Sequence, residues 1–133
     1  MKRRELRERI FEILFRVEFM SEDDMKEQMD LFFEDLAEAK PADADYIKNK
    51  YLAIREKMDQ IDVMIDEKST GWKTNRMGKV ELTILRLAVY EMFFDEDVPS
   101  TVAINEAVEL SKKFGGDDTP AFINGVLAKL ATI

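Results

Sequence analysis

Val98-Pro99-Ser100-Thr101-Val102-Ala103-Ile104-Asn105-Glu106-Ala107-Val108-Glu109-Leu110-Ser111-Lys112-Lys113-Phe114-Gly115, followed after six residues by Phe122-Ile123-Asn124-Gly125-Val126-Leu127, reads as two helices joined by a Gly-Gly break. Pro99-Ser100-Thr101 opens the first of them. Ala103, Ile104, Ala107, Val108, Leu110, Ser111 and Phe114 then fall on one side, with Asn105, Glu106, Glu109, Lys112 and Lys113 on the other. Gly115-Gly116 ends this helix as a glycine C-cap. Thr119 supplies the next cap, with Pro120 at the first helical position, and Phe122, Ile123, Val126, Leu127 and Leu130 form the apolar stripe that follows. A helix pair does not need Asn105, Phe114 beside Gly115, or Asn124-Gly125. Asn105 is a poor helix former on the polar side, which suggests a bond to a neighbouring loop. Asn-Gly ordinarily marks a hairpin turn, but the flanking period here is helical. Gly125 therefore reads as a point where another backbone comes close, offsetting a helix cost of about 1 kcal/mol relative to Ala.

The same period extends outward from this pair. Leu6, Ile10, Ile13, Leu14 and Val17 make a stripe on a helix from about Arg3 to Glu18. Arg4, Arg7, Phe11 and Phe15 share the adjoining sector. Such an interleaving suits single-stranded RNA, through phosphate contacts and stacking, but on the helix alone phenylalanines packed on another helix beside solvated arginines are the first reading. Ser21 resembles an N-cap followed by acids, and Met25, Met29, Phe32, Phe33 and Leu36 mark the buried face of a second helix. Ile47, Tyr51, Ile54, Met58, Ile61 and Ile65 predict a third and longest helix. Ser69-Thr70-Gly71 closes it, and a short turn around Trp72 to Met77 leads past Gly78 into a fifth segment. There Val80, Ile84, Leu85, Leu87, Ala88, Met92 and Phe93 predict a central, largely buried helix.

Composition agrees with an all-α fold. The 133 residues suffice for one core, and five glycines and three prolines leave little for the turns of a β fold. A single domain spanning residues 1–133 is the expectation. No cysteine and no histidine are present, so disulfides, thiol nucleophiles, His-assisted serine chemistry and the usual zinc sites have no ligands or bases to draw on. No cofactor and no metal are expected. Paired acids such as Asp95 with Asp97, or Asp117 with Asp118, fall at helix junctions, where capping and solvation account for them. No apolar run reaches transmembrane length and no signal peptide opens the chain, which suggests a cytoplasmic protein without a membrane partner.

The net charge of −8 is unevenly spread. Met1 to Arg16 carries a net side-chain charge of +3, while Ser21 to Asp45 carries −8, an acidic body with a basic beginning.

These residues resemble the NusB family of bacterial transcription antitermination factors. The resemblance is carried by Pro99, the run Val102 to Leu110, Lys112, Phe114-Gly115 and Phe122 to Leu127. Ile84-Leu85-Arg86-Leu87-Ala88-Val89-Tyr90-Glu91, Arg7-Glu8 and Leu14-Phe15 extend it towards both ends of the chain. It implies an all-helical fold of about seven helices in two small bundles forming one compact domain, and a role without catalysis. It also implies binding to boxA-like single-stranded RNA of ribosomal RNA operons, together with a NusE-type small-subunit ribosomal protein, within an antitermination complex on RNA polymerase. Carried over by position, the RNA surface would comprise Lys2, Arg3, Arg4, Arg7, Phe15, Phe114, Asp118 and Phe122, with arginines on phosphates, rings against bases and Asp118 accepting from a base edge. Phe114 and Phe122 also lie at the edge of an apolar stripe, so a core role stands beside the RNA role. The partner surface would comprise Arg76, Glu81 and Ile84.

The start is interrupted by Glu5 and Glu8, and Ala121 stands where the family often has a basic residue, so weak RNA binding without a partner is expected. One alternative is an acidic helical scaffold of the same fold that has lost RNA binding. Another is the front of an RNA cytosine methyltransferase, which lacks here a glycine-rich cofactor loop and a cysteine nucleophile. A homodimer is compatible with the wide apolar face of the fifth segment.

Overall fold

The computed structural model describes residues 1–36, 39–69, 71 and 73–132. Its regular elements are six α-helices: α1 (Arg3–Arg16), α2 (Glu22–Asp35), α3 (Pro41–Lys68), α4 (Lys79–Phe93), α5 (Ser100–Phe114) and α6 (Thr119–Ala131), with no strand among the described residues. Single 3-10 turns occupy Val17–Phe19 and Thr74–Arg76. About seven helices were expected, and the difference is the segment before Gly78. There the Asp66 carboxylate of α3 accepts from both the Thr74 amide (2.6 Å) and the Thr74 hydroxyl (3.1 Å), while Lys73 Nζ donates to the Asp66 carbonyl (2.8 Å). These bonds tie Lys73 and Thr74 to the last turn of α3, and Thr74 to Arg76 form a single 3-10 turn where a further helix was expected. Thr70 and Trp72 lie outside the described residues. Gly71, at φ +83°, takes the left-handed conformation that glycine adopts without a Cβ penalty.

The chain divides into two compact units, Met1–Arg55 and Glu56–Ile133, with the boundary inside the 28-residue α3. In the first unit Leu6, Ile10, Ile13 and Leu14 of α1 are buried, as are Met25 and Phe32 of α2 and Ile47, Tyr51 and Ile54 of α3. Ser21 caps α2, its hydroxyl accepting from the Asp24 amide at 3.2 Å. The apolar side of α1 is wider than its stripe, because Arg7 and Phe11 are also buried, at 6% and 3% exposure.

In the second unit α4, α5 and α6 pack against one another. Helix α4 is buried almost all round, from Leu82 through Leu85, at Leu87 to Val89 and at Glu91, as a central helix must be. Arg86 clamps the Asp62 carboxylate of α3 with Nε at 2.9 Å and Nη2 at 2.8 Å, a fork that suits guanidinium geometry. The buried hydroxyls of Thr83 and Ser111 donate back to the carbonyls of Lys79 and Val108.

Three local expectations change in this unit. Gly115 ends α5 in an extended conformation (φ −101°, ψ −178°), not in the left-handed state of a glycine C-cap. Thr119 is the first residue of α6 instead of its cap, because its hydroxyl turns back to accept from the Gly116 amide at 3.0 Å. Gly125 faces open space, with no atom within 4 Å of where a Cβ would sit, so no neighbouring backbone explains it. Asn105 and Asn124 are exposed as well. Gly125→Ala should therefore stabilise the protein by roughly 0.5–1 kcal/mol, through helix propensity and a less flexible unfolded chain. Urea unfolding of the two proteins measures this, and a loss of stability in the variant would mean that another backbone does approach Gly125.

Candidate nucleic-acid interface

The expected site residues divide between the units, with Lys2, Arg3, Arg4, Arg7 and Phe15 in the first and the others in the second. Lys2, Arg3 and Arg4 are exposed at the start of α1. Arg3 rests on Tyr46, its carbon Cζ 5.5 Å from the ring centroid and Nη1 donating to the hydroxyl at 3.3 Å. Arg7 departs from expectation. At 6% exposure it lies among the packed residues of α1, where its stem helps complete the core and its charge is engaged within the protein, so it offers no open contact to a phosphate.

Phe15 is half-buried between two rings. Phe11 stacks on it at 5.8 Å between centroids, and Phe19 meets it edge-on at 5.0 Å. Phe19 is 60% exposed, which makes it the open end of an aromatic row. Sequence reasoning does not single it out, although the spacing of Phe11, Phe15 and Phe19 at four-residue intervals carries the signal. A groove of about 400 Å³ also in this unit has Met29 and Phe33 in its lining, and its Asp30, Glu34 and Asp45 outnumber Lys48. That balance of charge opposes phosphate.

In the second unit Glu81, Asp118 and Phe122 come together. They line a cleft of about 320 Å³ with Met77, Gly78 and Thr119, where the first turns of α4 and α6 meet. Both acids sit at helix N-termini, where the macrodipole favours negative charge. Phe122 is half-buried and Asp118 exposed. The cleft is thus lined by one aromatic residue, apolar neighbours and two acidic residues whose carboxylates can accept hydrogen bonds. Such a lining suits a nucleobase carrying amino or imino N–H donors and repels phosphate. Thr119, Met77 and Gly78 belong to this site although their sequence positions did not reveal it, since Thr119 reads locally as a cap.

Phe114 is half-buried at the end of α5, with Lys113 Nζ 5.5 Å from its ring centroid. Arg76 is exposed in the 3-10 turn that leads to Met77. Ile84 is a correction. It is 0% exposed, one turn beyond Glu81 on the inner side of α4, and a partner cannot reach it in this conformation. Among the described residues no group of His, Cys, Asp or Glu could hold a metal ion, and no helix is long and apolar enough to cross a membrane.

A family model described as NusB family matches residues 4–132. The chain belongs to the NusB family. It is 54% identical over 131 residues to a transcription antitermination protein NusB of Agathobacter rectalis, a match covering 98% of this chain and 100% of that relative. A solved T. maritima NusB superposes with a TM-score of 0.88 at 31% identity, over 99% of this chain and 92% of that one. A crystal structure of antitermination factors NusB and NusE in complex with dsRNA has the same fold, with a TM-score of 0.80 at 24% identity over 98% of this chain and 96% of that one. The family is one of transcription antitermination factors and not of enzymes.

Proposed function

We propose that the chain is a transcription antitermination factor that binds boxA-type single-stranded RNA of ribosomal RNA operons together with a NusE-type small-subunit ribosomal protein. It joins the antitermination complex on RNA polymerase in the cytoplasm, and residues 1–133 work as one adaptor domain whose compact units are the two small bundles of the family fold. The observation that carries this reading is the cleft between the first turns of α4 and α6, where the Phe122 ring lies with Asp118 and Glu81. The chemistry there is that of base recognition without phosphate neutralisation, so the positive charge must come from elsewhere. Lys2, Arg3 and Arg4 supply part of it, Phe15 and Phe114 add ring surface, and the ribosomal protein supplies the remainder. Arg76 and Glu81 form the partner contact, with Arg7 and Ile84 reassigned to the core. The NusB and NusE complex with dsRNA supports this class of partner.

Charge reversal at the open end of α1 tests the proposal. In the double variant Lys2→Glu and Arg4→Glu, RNA affinity in the presence of the ribosomal protein should fall, and the salt dependence should flatten by about 0.7 for each phosphate that is no longer neutralised. Fluorescence anisotropy of a labelled boxA-like RNA at several salt concentrations reads both quantities. Unchanged affinity and slope would favour the acidic scaffold that binds protein partners alone.

A further inference from the structure

Thr119 is buried, at 5% exposure, yet it carries a hydroxyl into the wall of the cleft. That hydroxyl uses both of its bonding modes. It accepts from the Gly116 amide at 3.0 Å and donates to Glu81 Oε1 at 3.3 Å, across 38 residues of sequence. One oxygen thus joins the α5–α6 loop, the first residue of α6 and the first turn of α4. Asp118 immediately precedes it, and Phe122 follows three residues later, one turn along α6. The spacing between the Phe122 side of the cleft and the Glu81 side depends on this junction.

Two glycines make room for it. A Cβ at Gly115 would lie 2.7 Å from Thr119 Cβ and Cγ2, which are anchored to the backbone and cannot move aside without shifting α6. A Cβ at Gly78 would collide with the Glu81 carboxylate, the far end of a flexible side chain. Neither glycine needs its conformational freedom, because Gly78 (φ −61°, ψ 153°) and Gly115 (φ −101°, ψ −178°) occupy backbone regions open to any residue. The absence of a side chain at both positions leaves open the space that Glu81 and Thr119 occupy.

We infer that Thr119 is a positioning residue for RNA recognition: through its bonds to Gly116 and Glu81 it fixes Asp118 and Phe122 in the geometry that receives a base. The inference rests on the RNA reading of the cleft given above. It adds a residue whose hydroxyl is committed to Gly116 and Glu81, and it gives Glu81 an internal task beside the proposed partner contact. Because a carboxylate has about four lone-pair sites, Glu81 can hold Thr119 and still accept from a partner.

The test compares Thr119→Val, which removes the hydroxyl at nearly constant shape, with Thr119→Ser, which keeps it. The variant proteins bound to the NusE-type ribosomal protein are titrated into a labelled boxA-like RNA, and amide hydrogen exchange is followed at Gly116 in the protein alone. The valine variant should lose roughly tenfold in RNA affinity and expose the Gly116 amide to exchange, while the serine variant stays within about twofold on both measures. With Phe122→Ala already present, Thr119→Val should add less than about a twofold loss, since the hydroxyl acts through the ring it positions.

If the valine variant fails to fold, Gly78→Ala displaces the Glu81 carboxylate without touching Thr119; measured at saturating ribosomal protein, with partner affinity determined separately, it should lower RNA affinity in the same direction, and unchanged RNA affinity overturns the inference. A valine variant with freely exchanging Gly116 and unchanged RNA affinity overturns the inference while leaving the RNA reading intact. Phe122→Ala at wild-type affinity overturns the RNA reading, and the inference with it.

Discussion

Replacing Ile84 with alanine will lower the free energy of unfolding by about 3 kcal/mol and leave partner binding by the folded fraction unchanged. The loss combines the transfer free energy of the removed methyl and methylene groups with the cavity left behind. It is large because Ile84 has no exposure and α4 packs against both α5 and α6, so little of the surroundings can collapse into the space. Domains of this size are stable by only about 5–15 kcal/mol, so the variant will melt several degrees lower. Arg76 and Glu81, the residues proposed to contact the partner, keep their places, because neither depends on the Ile84 side chain to reach solvent. Thermal unfolding paired with a pull-down by the NusE-type ribosomal protein checks both halves. A variant of normal stability that no longer binds the partner would return Ile84 to the surface.

The helices were legible because each keeps its apolar period over several turns. Leu6, Ile10, Ile13 and Leu14 name the inner face of α1, and Ile47, Tyr51, Ile54, Ile61 and Ile65 are buried along α3 as their spacing predicts. Spacing gives the direction of a face but not how far neighbouring elements wrap around it. That is why Arg7, at the margin of the α1 stripe, suits a binding surface by pattern and is instead buried, while Phe11 takes the packing role that the same pattern allows. Ile84 is a different case: its spacing already places it on the face of a largely buried helix, and only the resemblance gives it to a partner.

The cleft was legible only in part. Asp118 and Phe122 follow from a resemblance in sequence, and the structure sets them beside Glu81, which the same resemblance gives to a different partner. What joins them is a hydrogen bond between residues 38 positions apart, and local rules read its surroundings otherwise: Gly115 as a helix stop, Thr119 as a cap, Gly78 as a turn. Each local reading marks a chain break and misses that the two glycines also leave room for Glu81 and Thr119, side chains close to them in sequence that meet each other across 38 residues. Gly125 shows the reverse error. A close approach of backbones is a demanding reason for a glycine that the structure leaves in open space.

The largest effect expected in solution is the dependence of RNA binding on the ribosomal protein. The chain carries a net charge of −8, and the cleft that suits a base holds two carboxylates, so phosphates near it are repelled unless a partner brings cations. Lys2, Arg3 and Arg4 alone can neutralise few phosphates, and Arg3 is already seated on Tyr46. Each phosphate neutralised on a single strand contributes about 0.7 to the slope of log affinity against log salt, so added partner cations must steepen that slope as they raise affinity. The decisive measurement is the affinity of boxA-like RNA for the chain with and without the NusE-type ribosomal protein, across salt concentrations, with the ribosomal protein alone as the control. Partner-supplied charge predicts binding at least about tenfold tighter for the pair than for either protein alone, with a steeper salt slope. Equal affinity and equal slope with and without the partner would contradict it.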